Sequence, residues 1–189
     1  MSNKKKDKRK ENIIREVKLP EGVSASYDGK VFTVKGPKGE IKRVLKQQSV
    51  AIKITDHDIS FEAGRATKEN KKMLGSLAAH AKNMVRGSLQ NHIYILKICS
   101  GHFPMTVSIA DSKFNVKNFL GEKVPRILKL KEGVNVKVEG SLIHISSPSK
   151  ELAGQVSADI EQLTRRPGFD GRVFQDGIYL TIKDGKELK

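Results

Sequence analysis

Aromatic side chains are scarce in this sequence. Tryptophan is absent, and Phe, Tyr and Trp together supply only 5% of the 189 residues. So few rings leave no evident stacking platform of the kind single-strand binders use. Cysteine occurs once, at Cys99, which excludes an intramolecular disulfide and a cysteine-based zinc site. Within the apolar run IYILKIC it reads as a small buried hydrophobe. No apolar run approaches the ~20 residues that cross a bilayer. The opening stretch MSNKKKDKRKENIIREV lacks the apolar segment of a secretory signal. Acidic residues are also short, 21 Asp plus Glu against 36 Lys plus Arg, for a net charge of +15. Such an excess repels itself unless a polyanion offsets it. With no membrane segment, the expected partner is nucleic acid and the expected location is the cytoplasm.

Signatures of catalysis are equally thin. The five histidines (His57, His80, His92, His102, His144) are scattered, and none has the i, i+4 spacing of a helical metal site. There is no nucleophile elbow, P-loop or dinucleotide fingerprint. Asp56 and Asp58 flank His57 in what reads as a solvated turn. They are the residues a nucleic-acid hydrolase reading would need. The expectation is a protein with no enzymatic activity, no cofactor and no metal.

What the sequence does have is short alternating strands, twice over. VSASY and KVFTV flank Asp28-Gly29, a type I′ hairpin signal. IKRVL, VAIKI and ISF follow, with Thr55–Asp58 as a turn. Thr67 to Arg86 reads as a helix with Thr67 as N-cap and Gly87 as stop. Met73, Leu77, Ala81 and Met84 share one face, with Leu74 and Val85 beside it. Lys68, Lys72, Lys82 and Arg86 lie opposite. The cycle restarts with IYILKIC, MTVSI, a turn at Asp111-Ser112, KFNVKNF, RILKL, VNVKV, a turn at Glu139-Gly140, and LIHIS. Ser147-Pro148 opens a second helix with Pro at its first position. Leu152, Val156, Ile160 and Leu163 form its apolar stripe, and Pro167-Gly168 end it. GRVF, a turn at Asp176-Gly177 and IYLTI read as a last strand pair.

A shift of 84 residues lays Ile59 and Phe61 on Ile143 and Ile145, and Val50, Ile52 and Ile54 on Val134, Val136 and Val138. VKGPKGEIKR, from Val34, falls near VKNFLGEKVPR, from Val116, after a two-residue slip. The fold class is therefore α+β: two tandem repeats of a small module, each an antiparallel sheet packed on one helix. The organisation expected is a basic tail over 1–16, a first repeat over 17–90, a second over 91–183 and a short C-terminal tail over 184–189.

Gly36-Pro37-Lys38-Gly39 has the GXXG form of a KH-domain clamp, but that loop joins two helices. Here both flanks are strands, so a tight β-turn is the reading. Many cations and few rings point to folded RNA held through phosphates, 2′-hydroxyls and shape. The contact candidates are Lys117, Asn118, Gly121, Lys123 and Arg126 in the VKNFLGEKVPR loop, and Arg165, Arg166, Arg172 and Lys183 near the C-terminal turns. Arginine can grip phosphate bidentately. The tail adds Lys4, Lys5, Lys6, Lys8, Arg9 and Lys10, dense charge that stays out of any core.

The segments VKGPKGE (Val34–Glu40), HFP (His102–Pro104), NFLGEK (Asn118–Lys123), ADIEQLTR (Ala158–Arg165) and VFQDGIY (Val173–Tyr179) together resemble one family. It is that of large-subunit ribosomal protein six (L-six; L-nine in eukaryotes), in its archaeal form. The resemblance implies two tandem α+β domains and a non-catalytic, rRNA-binding component of the large subunit. It places that component near the sarcin–ricin region and the stalk base, with neighbouring ribosomal proteins and translation factors close by. It also implies that the second domain makes most of the RNA contact. The basic tail is longer than is usual in that family. The alternative is a free-standing RNA-binding or RNA-chaperone module.

Overall fold

The computed structural model describes residues 12–45 and 50–188. The chain divides into two compact units at Gln90/Asn91. Every strand pairing among the described residues is antiparallel.

In the first unit, β1 (Ile13–Lys18), β5 (Ala51–Ile54) and β6 (Asp58–Ala63) form a sheet in the order β1-β6-β5. A second sheet is the meander β2 (Ser24–Tyr27), β3 (Val31–Gly36) and β4 (Gly39–Val44). The helix α1 (Lys68–Leu89) packs on both sheets. β1 begins inside the stretch set apart in sequence as the basic tail. Period-2 patterning decides the core: Ile59, Phe61 and Ala63 of β6 are buried while their neighbours are half-exposed. On α1 the buried stripe is Leu74, Leu77, Ala78, Ala81, Met84 and Val85, with Met73 only partly covered. Thr67 caps the helix as expected, its side chain accepting from Asn70 N at 3.1 Å.

Two local expectations fail here. Only Gly29 of the Asp28-Gly29 pair has positive φ, so the hairpin is not type I′. Instead Asp28 N donates to Val31 O across a longer loop. Gly87 does not stop α1 but lies buried within it. The extra turn brings Ser88 against the β3–β4 turn, where its carbonyl accepts from Lys38 N at 2.9 Å. That turn is the GXXG segment. Gly36 pairs with Gly39, leaving Pro37-Lys38 as a two-residue reversal between strands.

The second unit repeats the plan. A meander of β8 (Thr106–Ala110), β9 (Lys113–Lys117) and β10 (Arg126–Lys129) faces a sheet that contains β7 (His92–Cys99), β11 (Asn135–Glu139) and β12 (Leu142–Ser147). Phe114, Val116, Ile143 and Ile145 are buried where the first unit buries Phe32, Val34, Ile59 and Phe61. The helix α2 (Lys150–Leu163) buries Ala153, Val156, Ser157 and Ile160, with Leu152 and Leu163 at the margins. Its N-cap is Ser149, which accepts from Leu152 N. Pro148 therefore precedes the cap and is not the first helical residue. The Ser147 hydroxyl donates to the Gly133 carbonyl at 2.8 Å. The β11–β12 reversal is Gly140-Ser141, one residue later than expected, because Glu139 pairs with Leu142.

The second unit also has two strands without a counterpart in the first. β13 (Gly177–Lys183) pairs with β7, and β14 (Lys186–Glu187) returns along it, giving the order β11-β12-β7-β13-β14. The turn between them is Asp184-Gly185, both with positive φ. Residues 184–188, set apart in sequence as a tail, thus contribute to the sheet. Asp184 is nearly buried and bonds His92 Nδ1 at 2.8 Å and Lys150 Nζ at 2.9 Å. Burial raises its pKa, but these two partners outweigh it and hold the carboxyl below the usual range.

Candidate nucleic-acid interface

The loop after β9 is strained. Asn118, Leu120 and Gly121 have φ of 59°, 47° and 78°. A left-handed Leu costs roughly 1–2 kcal/mol, so the surroundings must impose it. Asn118 Nδ2 donates to Pro104 O at 3.0 Å. Phe119 is buried beneath Arg126, whose guanidinium carbon lies 4.4 Å from the ring centroid. Arg126 forks onto Glu122 through Nε–Oε2 at 2.8 Å and Nη2–Oε1 at 2.7 Å, and Nη1 donates to Leu163 O at 2.6 Å. The hydrogen bond from Arg126 holds the Glu122 carboxyl below its usual range. The sequence places Arg126 among the RNA contacts. Its planar fork is instead consumed in closing this loop onto the end of α2.

The loop turns Leu120 into the wall of a cavity of about 440 Å³ in the second unit. The rest of the wall comes from the end of α2, the segment after it and the start of β13, with Gln162, Arg165, Arg166, Phe169, Phe174 and Tyr179 prominent. Arg166 lies over Phe169, 4.2 Å from its centroid. Phe174 meets Phe169 edge-on at 5.0 Å and stacks on His102 at 5.1 Å. Phe169 and Tyr179 remain 42% and 43% exposed, so the rings are reachable from solvent.

GRVF, expected as a strand, is irregular, and Asp176-Gly177, expected as a turn, is an anchor. The buried Asp176 carboxylate accepts from Gly101 N at 2.6 Å, from His102 N at 2.9 Å and from His102 Nδ1. Burial alone would raise its pKa, yet these bonds outweigh burial and hold the carboxyl below the usual range. The anchor fixes the chain to the loop after β7, and pairing resumes only with Gly177 opposite Cys99. Glu161, the other carboxylate of the wall, accepts from Leu180 N at 3.2 Å.

The structure brings together only part of the residues singled out in sequence. Arg165 and Arg166 line the cavity, while Arg172 is exposed on the neighbouring turn. Asn118 and Gly121 shape the loop, and Lys117 and Lys123 are exposed beside it. Lys183 ends β13 six residues from Gly177, roughly 20 Å along an extended strand, and does not share the site. Lys4, Lys5, Lys6, Lys8, Arg9 and Lys10 lie outside the described residues. Asp56 lies in the β5–β6 turn and Asp58 is the first residue of β6. Among the described residues no group of three His, Cys, Asp or Glu is placed to hold a metal ion. No helix there is long and apolar enough to cross a membrane. The aromatic cluster escaped the sequence reading because composition averages over the chain. The closeness of Phe169 and Phe174 just after the Pro167-Gly168 stop was its one local sign.

The two most specific motifs, NFLGEK and VFQDGIY, therefore meet at one cavity although about 55 residues separate them. The family model described as Ribosomal protein L6 matches residues 19–90 and again 103–177. The chain belongs to the ribosomal protein L6 family. The two matches begin 84 residues apart, the spacing of the internal repeat. Family relatives named Large ribosomal subunit protein uL6 include that of Methanothrix thermoacetophila, 42% identical over 92% of this chain and 98% of the relative. Those of Methanosarcina mazei and Methanococcus vannielii are 41% and 39% identical, over 90% and 93% of this chain and 97% of each relative. The chain is an archaeal-type member of this family of large-subunit ribosomal proteins.

Proposed function

We propose that this chain is a structural component of the large ribosomal subunit that binds its rRNA mainly through the second unit. In this reading it is located on the cytoplasmic ribosome, near the sarcin–ricin region and the stalk base. Neighbouring ribosomal proteins and translation factors are close by, and the chain performs no catalysis. The observation that carries the reading is the meeting of the NFLGEK and VFQDGIY segments at a cavity bordered by Arg165 and Arg166, in a chain of net charge +15. The units give rigid geometry, while exposed Lys and Arg supply affinity by releasing counterions from phosphates.

Hydroxyl-radical footprinting of Methanosarcina mazei large-subunit rRNA, with and without the protein, tests this directly. The expected result is protection confined to the sarcin–ricin region and adjoining helices, lost steeply as salt rises. Protection scattered over the rRNA, or binding indifferent to salt, would overturn the reading.

A further inference from the structure

We infer that the cavity of the second unit is a pocket for a single unstacked nucleobase of the bound RNA. This rests on the rRNA-binding reading above and deepens it. The sequence is poor in rings, yet the fold concentrates Phe169, Phe174 and Tyr179 around one cavity, with His102 stacked behind Phe174. A solvated phosphate contact needs none of them. Flat apolar rings left partly open beside guanidinium groups match the way unpaired RNA bases are held, stacked on aromatic faces and on Arg planes. Arg166 resting on Phe169 supplies such a composite surface. The volume of about 440 Å³ admits one heterocycle with part of its ribose.

The polar groups fit the same ligand. Both carboxylates of the wall are engaged within the fold, Asp176 by three donors and Glu161 by Leu180 N. Arg165 has no side-chain partner among the described residues and borders the opening, where it suits the attached phosphate. The Gln162 amide carries both donors and an acceptor, the combination that reads a base edge. Leu120 closes the wall from the strained loop, which gives its left-handed backbone a purpose.

The test is base-specific chemical probing of Methanosarcina mazei large-subunit rRNA bound to wild-type protein, Phe169→Leu and Gln162→Ala. Wild type protects the Watson–Crick edge of one unpaired nucleotide inside the hydroxyl-radical footprint. Phe169→Leu, a change at a partly exposed ring, loses that base protection while keeping the backbone footprint. It weakens binding about tenfold, the scale of one base–aromatic stack. Gln162→Ala relaxes base preference at the same nucleotide. A footprint with no protected unpaired base, or protection indifferent to Phe169→Leu, overturns the pocket and leaves the rRNA reading standing. Absence of any footprint overturns both. AMP, GMP, CMP and UMP are titrated separately against the protein and followed by amide chemical shifts. Weak millimolar binding at the cavity agrees with the inference, whereas micromolar binding of one mononucleotide makes a soluble nucleotide the ligand and overturns it.

Discussion

Asp176 and His102 lie 74 positions apart in the chain, and their side chains are hydrogen-bonded in the second unit. The same carboxylate holds Gly101 N and His102 N, so one buried charge closes the loop after β7 onto the start of β13. Asp176→Asn should destabilise this unit by roughly 1.5–3 kcal/mol at neutral pH, the range for hydrogen bonds to a charged group. The folded carboxyl titrates below the ordinary value of 3.8. Its contribution is therefore complete above that value and disappears as pH falls through the folded one. Urea unfolding followed at second-unit amide resonances should show a wide gap between the two proteins at pH 7 that shrinks progressively as pH is lowered below 3.8. A gap that stays constant over that descent would show that charge is not what holds the segment.

Arg126 is the cation whose role changes most between sequence and structure. Its fork is committed to Glu122 and to Leu163 O, and its plane covers Phe119. Arg126→Met should lower second-unit stability by about 2 kcal/mol, since Glu122 loses both of its charged hydrogen bonds and keeps only Arg166, 4.0 Å away. The dependence of RNA affinity on salt should stay unchanged. A decrease in the salt slope without loss of stability would mean the guanidinium leaves Glu122 for a phosphate in the complex.

Arg165 and Arg172 behave differently. Both are exposed and have no side-chain partner among the described residues. Neutralising either with Gln should leave urea unfolding within ~0.5 kcal/mol of wild type. Removing one phosphate-binding cation should reduce the slope of log affinity against log salt by roughly 0.7–0.9. Filter binding of the rRNA across a salt series measures this. Parallel lines for wild type and both variants would remove these arginines from the interface.

The repeated module was legible because strands with one buried face carry a period of two. Ile59 and Phe61 cannot slip by one position without exposing both, and neither can Ile143 and Ile145. Each cluster of alternating residues therefore marked a strand wherever the burial was one-sided. The division of each unit's strands between two sheets was not legible, since a hairpin pattern does not say which neighbour lies beyond it. Local turn chemistry misled where distant residues decided the outcome. Asp176-Gly177 has turn composition, yet Gly101 and His102 convert the Asp into an anchor. Gly87 resembles a helix stop, but docking Ser88 on the β3–β4 turn extends α1 past it. The candidate site was half legible. Charge and glycine marked the loops, whereas the convergence of Phe169, Phe174 and His102 depends on three-dimensional closure.

The approach of Gly36 to Ser88 gives the last prediction. A Cβ on Gly36 would lie 2.8 Å from the Ser88 carbonyl oxygen, Cβ and Oγ alike. The carbonyl cannot swing aside, because it accepts from Lys38 N and belongs to the last turn of α1. Gly36→Ala must then push the β3–β4 turn off the helix end, at a cost of about 1–3 kcal/mol. Ser88→Gly removes the side-chain part of the clash and leaves the backbone part, so the double variant should recover only some of the loss. Hydrogen exchange at Lys38 N and the last turn of α1 reads this locally, and both should exchange faster in Gly36→Ala. Full recovery in the double variant would place the whole clash on the side chain. Unchanged exchange in the single variant would show that the turn does not rest on α1 in solution.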